Sequence, residues 1–415
     1  MRIIILFVTA LIAWPHAGSG QELISDPGFQ RGVNVKHPAT GEFQGTLVWD
    51  QTLPPPIWDC VQWNSISSIV GAPVDSPAPD WFRWENTEKS VEMGQSGATV
   101  FDLLLGVDSV SEYGGVYRTV SDPWPAFLLE QRLSEPGTQG PGCPPLSDLV
   151  SLDFRMDARL TLAEIIVVAG YDANIHASQY SVYFIVQNLN PASSGYGKLL
   201  WLGVPVYDDR YEMTPLYVAL DVATGSMIYR IAQQDVAPVS LHDGTWVSYS
   251  VDLLPYAMAA LQEVWSRGYL TESTDFADYR IGGLNLGWEV PGLSRVAITI
   301  RNLSLVADLS GISGVASDDM GTPKLQVLPN YPNPFNPTTT IPLFLDKGAS
   351  VRLTICNIRG EVVRVLHDGF LDAGRHSFVW HGVDHGNAPV GSGLYHAIIQ
   401  ADGQGQAARK MILLK

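Results

Sequence analysis

The chain has 415 residues, of which 46% are hydrophobic and 16% are charged, and its formal net charge is −17. A chain of this length can form about two or three globular domains. The negative charge lies in residues 21–324, which hold 16 Lys and Arg against 36 Asp and Glu. Because such a surface repels phosphate groups, the composition argues against nucleic acid and anionic membranes as partners.

The first 20 residues have the pattern of a secretory signal peptide. Met1-Arg2 precedes an apolar run over residues 3–13, and small residues follow at 17–20. A run of about a dozen apolar residues is shorter than the ~20 that cross a bilayer. We therefore expect cleavage near Ser19 to Gln21, and a mature chain without a transmembrane segment.

Residues 21–308 are predicted to form one large, mostly β domain. Apolar or alternating segments of strand length lie between Gly, Pro, Asn and Asp residues, at 151–157, 180–186, 216–220, 245–251 and 295–300. One amphipathic helix is predicted after Asp252, with apolar residues at helical spacing from Leu253 to Trp265 and a stop at Gly268. Many short strands favour a jelly roll or another β-sandwich over an α/β fold.

Residues 309–324 are small, polar and Gly-rich, which predicts a linker. In 325–415, short β-like segments alternate with turns, at 351–355, 361–366, 376–380, 394–399 and 409–414. The pattern predicts a small antiparallel β-sandwich at the end of the chain.

The last segment also carries a specific set of motifs: Tyr331-Pro332-Asn333-Pro334-Phe335-Asn336-Pro337-Thr338, Ile358-Arg359-Gly360-Glu361, Ala373-Gly374-Arg375-His376, Ser392-Gly393-Leu394-Tyr395 and Lys410-Met411. Together they resemble the Ig-like C-terminal sorting domain of type IX secretion substrates, which is related to the flagellar-hook-cap Ig-like domain. The resemblance implies that an outer-membrane translocon recognises 325–415 after periplasmic transit. The product would be secreted or attached to the cell surface.

Three cysteines give little information. Cys60 and Cys143 flank Pro-rich loops and could form one disulfide in an oxidising compartment, while free thiols remain the alternative. Cys356 lies in a strand-like segment, which predicts a buried thiol. No cysteine spacing indicates a zinc site, and we predict no cofactor.

Both ends of the large domain resemble jelly-roll carbohydrate-binding modules. Asp26-Pro27-Gly28-Phe29 is similar to their first strand, and residues 296–305 are similar to their closing strand. Tryptophan is frequent, and flat aromatic rings can stack on sugars. We expect Trp81, Trp84, Trp201 and Trp288 to bind a ligand, although packing in the core is the alternative for each.

The segment from Leu200 to Arg210 joins an apolar strand to Asp208-Asp209-Arg210. Asp208 is predicted to line a cleft or to ligate a structural calcium ion through its carboxylate. The alternative is an Asp–Arg ion pair at the end of the strand.

Glu289 is the first candidate for a catalytic residue. It follows Gly287-Trp288, and this segment resembles the Gly-aromatic-Glu strand that carries the acid/base in some concanavalin-like endoglucanases. Glycoside hydrolysis needs a second carboxyl group in the same cleft, and Glu164 is the candidate for it. A structural carboxylate is the alternative for Glu164, and Glu289 could equally line a binding cleft.

The sequence thus predicts an exported all-β protein whose large domain binds a polysaccharide or another extracellular ligand. One alternative is a glycan-active hydrolase or lyase that uses Glu289. Another is a structural surface or matrix protein in which the aromatic residues form the core.

Overall fold

The computed structural model describes residues 20–97, 100–134, 142–221, 224–309, 325–327, 330, 335–345, 347–357, 359–403 and 405–413. The predicted signal peptide up to residue 19 and the predicted linker beyond Leu309 lie outside the described residues.

Among the described residues before 309 there are 17 strands, in the order β1 Gln21–Glu22, β2 Val33–Lys36, β3 Phe43–Leu47, β4 Trp58–Val61, β5 Val74–Ala78, β6 Trp81–Glu85, β7 Lys89–Gln95, β8 Phe101–Asp108, β9 Ala126–Arg132, β10 Ser151–Ile165, β11 Gln179–Asn188, β12 Leu199–Asp208, β13 Tyr217–Leu220, β14 Met227–Arg230, β15 Val247–Asp252, β16 Tyr279–Glu289 and β17 Ser294–Asp308. The helices of this part are α1 Ser109–Glu112 and α2 Leu254–Ser266, with 3-10 turns at Leu146–Asp148, Gln233–Asp235 and Phe276–Asp278.

These strands form two large sheets. The eight-stranded sheet has the order β15-β10-β17-β8-β7-β6-β5, with β1 paired to β17. The nine-stranded sheet has the order β13-β14-β12-β11-β16-β9-β4-β2-β3. Most neighbouring strands are antiparallel, whereas β12 with β14 and β2 with β4 are parallel pairs.

The two sheets pack face to face around one hydrophobic core. Phe154 of β10 meets Phe184 of β11 edge-on, with ring centroids 5.3 Å apart. The indole Nε1 of Trp288 in β16 donates a hydrogen bond of 2.9 Å to the carbonyl oxygen of Leu105 in β8. Since successive side chains of a strand point to opposite faces, β2 and the first ten residues of β10 give every second residue to this core.

The predicted helix is present as α2. The Asp252 carboxylate accepts a hydrogen bond from the backbone N–H of Leu254 at 3.0 Å, and Gly268 follows the helix with φ of +82°. The face that packs on the sandwich carries the buried residues Leu254, Ala257, Ala260, Leu261 and Val264. Within the described part of the chain, no helix has the length and hydropathy needed to cross a bilayer.

The C-terminal segment forms seven further strands: β18 Leu325–Val327, β19 Thr339–Leu345, β20 Ala349–Asn357, β21 Val362–Leu371, β22 Gly374–Trp380, β23 Gly393–Ala401 and β24 Gly405–Leu413. They make sheets of order β18-β19-β22 and β21-β20-β23-β24 around a second core. Trp380 lies in that core and donates its indole N–H to the Val383 carbonyl oxygen at 2.8 Å. The predicted fold class, a large β-sandwich with one amphipathic helix followed by a small β-sandwich, is confirmed.

The predicted disulfide is absent from the structure. Cys60 and Cys143 are buried and unbonded, as is Cys356. Burial raises the pKa of the Cys60 thiol to about 12 and that of Cys143 to about 11, because it disfavours the thiolate.

A thiol titration without reductant tests this correction. We expect almost no reaction of the native protein with a thiol-specific reagent, since all three cysteines are buried. After unfolding in guanidinium, all 3 cysteines should react. A single reactive thiol under those conditions would show that two cysteines are bonded.

Candidate ligand-binding face

The side of the nine-stranded sheet that points away from the core is the candidate binding surface, and we call it the outer face. Residues paired in register on neighbouring strands lie on the same face. One such line crosses all nine strands. We call this line the outer row: Tyr217, Arg230, Gly203, Tyr183, Asn285, Glu130, Asp59, Asn34 and Thr46.

The composition of the outer row is unusual for a sheet surface, because it contains aromatic and hydrogen-bonding side chains and no aliphatic ones. Its centre is also shielded from solvent: Arg230 is 6% exposed and Asn285 is 8% exposed. Among the described residues, Asn285 Oδ1 and Arg230 Nε are buried without a hydrogen-bond partner. Buried polar atoms are rarely left unpaired, so these two atoms have hydrogen-bonding capacity that no described residue uses.

Aromatic residues dominate one half of the outer face. Tyr183 and Trp201 are partly exposed, and their rings meet edge-on with centroids 6.3 Å apart. The guanidinium of Arg230 lies over the Tyr217 ring at 5.4 Å. A side chain at Gly203 would come within 2.6 Å of the Tyr183 ring, so only glycine leaves room for this ring.

Glu289 lies on the same face, four residues beyond Asn285 in β16 and thus two side-chain rows from the outer row. Its register partners are Gln179 of β11 and Ala126 of β9. Burial and, to a lesser degree, the charge of Asp221 raise the pKa of Glu289 to about 7, against an opposing effect of Arg230. Neither register partner is a carboxylate, and the next residue of the row, beyond Gln179, is Asp208.

The raised pKa of Glu289 predicts how its replacement changes stability. Below pH 4.5 the carboxyl is protonated in both the folded and the unfolded chain. Between pH 4.5 and about 7 the unfolded chain releases the proton first, so the wild type loses stability as the pH rises. We expect Glu289→Gln to be more stable than the wild type at pH 8 and to lose this advantage at pH 4. Urea unfolding at pH 8 and at pH 4 measures the difference in stability between the variant and the wild type. A difference that does not change with pH would contradict the raised pKa of Glu289.

Glu164 does not complete a carboxylate pair with Glu289, so that prediction is wrong. Glu164 lies in β10 of the eight-stranded sheet, where it is exposed and binds Arg295 at 3.0 Å. The two glutamates are therefore on different sheets. Arg295 also binds Asp108, so the Glu164 carboxylate belongs to a surface ion-pair group.

The predicted tryptophans divide into three groups. Trp84 and Trp288 are buried in the core, where they cannot contact a ligand, so the binding prediction is wrong for both. Trp81 is partly exposed, but it lies on the outward side of the eight-stranded sheet and donates its indole N–H to Glu92 at 2.7 Å. Trp201 alone lies on the outer face.

Asp208 lies at the end of β12, in register with Gln179 and thus in the row of Glu289. Its two carboxylate oxygens accept hydrogen bonds from Arg210 Nε at 2.8 Å and Nη2 at 2.7 Å. Arg230 is 3.8 Å away. The Asp–Arg ion pair considered from the sequence is therefore present, and the proposed calcium ion would have to compete with two guanidinium groups. The described residues contain no group of three or more His, Cys, Asp or Glu that could hold a metal ion.

The other half of the outer face is acidic and was missed from the sequence. Asp59 of β4 and Glu130 of β9 are register partners in the outer row. Asp59 is the one charged residue of β4, and Glu130 follows the apolar residues 126–129 of β9. A carboxylate beside apolar strand residues can be recognised in the sequence. The pairing of Asp59 with Glu130 could not be predicted, because the sequence does not show which strands are neighbours in the sheet.

Comparisons with known proteins bear on the two parts of the chain differently. Residues 336–405 match the family described as FlgD Ig-like domain. No curated protein matches the chain.

Among solved structures, the chain is similar to endoglucanase cel12A from Rhodothermus marinus, with 11% identity, a TM-score of 0.31, and coverage of 55% of this chain and 92% of that one. It is also similar to the native family 12 xyloglucanase from Bacillus licheniformis, with 9% identity, a TM-score of 0.32, and coverage of 57% and 97%. A third similar structure is the xyloglucanase domain of NopAA from Sinorhizobium fredii in complex with cellobiose, with 11% identity, a TM-score of 0.27, and coverage of 57% and 96%. Identities and TM-scores this low carry no argument about the activity of this chain. The C-terminal segment is thus similar to an Ig-like domain, whereas the function of the large domain has to be argued from its outer face.

Proposed function

We propose that the large domain binds an extended polysaccharide along the outer row. The observation that carries this proposal is the line of register partners from Tyr217 to Thr46, which crosses all nine strands with aromatic and hydrogen-bonding side chains. Sugar rings present apolar faces that stack on aromatic rings, and their hydroxyl groups hydrogen-bond to amides, carboxylates and guanidinium groups. The unpaired atoms of Asn285 and Arg230 are suited to such hydroxyl groups.

The length of the row favours a polymer over a small sugar. Neighbouring strands are about 4.8 Å apart, so nine strands span roughly 38 Å. A single sugar ring would contact two or three members of the row and leave the others unused. The repulsion of anions by the acidic surface favours a neutral chain.

Glu289 supports binding in this proposal and does not start hydrolysis. Glycoside hydrolysis requires a second carboxyl group, and the one in the row of Glu289, Asp208, lies beyond Gln179 with both oxygens bonded to Arg210. The Gln179 amide oxygen instead accepts a hydrogen bond from Arg230 Nη1 at 3.0 Å. Glu289 and Gln179 together provide polar groups beside the aromatic residues.

Binding assays with matched variants test the proposal. The purified protein is run through gels that contain soluble glucan, mannan, xylan or galactan, and retardation measures affinity. We expect retardation by at least one neutral polysaccharide, and a loss of about tenfold or more in affinity for Tyr183→Ala with Trp201→Ala, since a factor of ten corresponds to 1.4 kcal/mol. Trp81→Ala, on the other sheet, is the control and should bind like the wild type. Equal loss in both variants, or no retardation by any polymer, would reject the proposal.

For the C-terminal segment we propose a role in export. Its support is the set of sequence motifs in 325–415 and the match of residues 336–405 to an Ig-like family. The signal peptide would direct the chain to the periplasm, and an outer-membrane translocon would then bind the C-terminal segment. The mature large domain would act outside the cell.

A reporter fusion tests this role. Residues 309–415 are attached to a periplasmic reporter protein in a bacterium that has a type IX translocon. We expect the reporter outside the cell, and in the periplasm when the translocon gene is deleted. Export that does not depend on the translocon would reject the assignment of the segment.

A further inference from the structure

We propose that Asp59 and Glu130 are a pair of catalytic carboxyl groups that hydrolyse the polysaccharide bound along the outer row. This inference rests on the proposed binding function and extends it from binding to turnover. It replaces the Glu289 and Glu164 pair, whose members lie on different sheets. Asp59 and Glu130 lie on β4 and β9, whereas the aromatic residues Tyr183 and Trp201 lie on β11 and β12, so different variants test binding and turnover.

The register of β4 and β9 places the two carboxyl groups side by side on the outer face. The strands are antiparallel, and Asp59 pairs directly with Glu130. Directly opposite residues have Cβ atoms roughly 4.5–5.5 Å apart and point to the same face. Retaining glycosidases hold their two carboxyl groups about 5–5.5 Å apart, on either side of the bond that they cleave.

The surroundings of the two carboxyl groups differ, as an acid and a nucleophile require. Asp59 is 3.2 Å from the ammonium group of Lys36 and accepts a hydrogen bond from Asn34 Nδ2 at 3.1 Å. Burial raises the pKa of Glu130 above its usual range and the charge of Asp59 adds to this, although a hydrogen bond from the Trp63 side chain opposes it. Glu130 is therefore the group suited to give a proton, and Asp59, held by Lys36 and Asn34, is the one placed to attack.

Asn285 gives an independent indication of a ligand at this place. It is the other register partner of Glu130, on the same face, and is 8% exposed. Its Oδ1 is buried and has no hydrogen-bond partner within the described residues. A sugar hydroxyl group bound beside Glu130 would satisfy this oxygen, which places a sugar ring within reach of both carboxyl groups.

The chemistry follows from these roles. The Glu130 carboxylic acid gives its proton to the glycosidic oxygen while an Asp59 oxygen attacks the anomeric carbon. The bond from that carbon to the leaving sugar breaks, and an ester to Asp59 forms. Water then gives a proton to the Glu130 carboxylate and attacks the anomeric carbon, which releases Asp59. One water is consumed for each new reducing end.

Reducing-end assays on the polysaccharide that the full chain binds test the pair. We expect the wild type to release reducing ends, and Glu130→Gln and Asp59→Asn to release them at least ~100-fold more slowly, a typical cost of losing a catalytic proton transfer. Because Gln and Asn keep hydrogen-bonding side chains, affinity in gel retardation should fall by far less than turnover in both variants. Glu164→Gln, an exposed carboxylate on the other sheet, is the control and should keep full turnover.

A second readout does not depend on how the variants fold. The wild type is incubated with an activated 2-fluoro glycoside of the bound sugar and examined by intact-mass and peptide mass spectrometry. A sugar attached to Asp59 supports the inference. Binding without reducing-end release and without labelling, or label on Glu289, would overturn it while leaving the binding proposal intact. The absence of any binding would overturn the proposed function itself.

Discussion

Trp288→Ala is expected to lower the free energy of unfolding by about 3–5 kcal/mol, the usual cost of truncating a large core aromatic residue. Trp288 is 0% exposed, and the rings of Tyr180 and Tyr207 meet it edge-on at 5.2 Å and 5.8 Å. Its indole N–H is also bonded to the Leu105 carbonyl oxygen of the opposite sheet. The substitution therefore creates a cavity and leaves a buried carbonyl oxygen without this donor.

Equilibrium unfolding in urea, followed by circular dichroism, measures this loss. Trp124→Ala is the matched control, because Trp124 is 38% exposed and lies on the surface. We expect the control to change stability by less than about 1 kcal/mol. Similar losses for both variants would mean that Trp288 is not in the core, and the sequence-based expectation of a ligand-binding Trp288 would return.

Lys89→Met is expected to cost about 3–5 kcal/mol, because it leaves a buried carboxylate without its cation. Lys89 Nζ lies 2.8 Å from Glu112, and both side chains are almost fully buried. The Glu112 carboxylate also accepts hydrogen bonds from the Ser65 hydroxyl and from the backbone N–H of Ile66. The ion pair thus fixes the loop that follows Trp63, whose side chain is bonded to Glu130.

The matched control for this change is Lys198→Met. Lys198 forms an ion pair with Glu272 at the surface, where such a pair contributes at most about 1 kcal/mol. Both variants are compared by urea unfolding at pH 7. Equal losses would show that the Lys89 and Glu112 pair is hydrated rather than buried.

The secondary structure was largely predictable because it depends on local patterns. The apolar alternation of segments such as 151–157 and 295–300 predicted β10 and β17, although both strands extend beyond these bounds. The helix from Leu254 to Ser266 was predictable from its apolar spacing and its glycine stop. In each case, the residues that decide the element are close together in the chain.

The site was predicted only in part, because it depends on strand order and register. Trp201, Asp208 and Glu289 were identified from local motifs, and the structure places them on one face. Asp59 and Glu130 are 71 positions apart in the sequence, and only the pairing of β4 with β9 brings them together. For Glu164 and Glu289 the local motifs suggested a pair, but strand order places the two residues on different sheets.

Burial of the tryptophans was also difficult to predict. Trp84 lies close to Pro- and Gly-rich sequence, which favoured an exposed loop, but it belongs to β6 and points into the core. The face of the sheet to which the Trp84 side chain points depends on the pairing of Trp84 with Val91 in β7. A local pattern of turn residues cannot give that pairing.

The dependence of affinity on ligand length tests the binding of an extended chain most directly. Calorimetric titration of the full chain with oligosaccharides of increasing length, made from the polysaccharide that it binds, gives the dissociation constants. We predict that affinity rises with each added ring until the oligosaccharide spans the outer row, roughly 38 Å at the strand spacing of a β-sheet. A one- or two-ring sugar that binds as tightly as the longer chains would contradict the account.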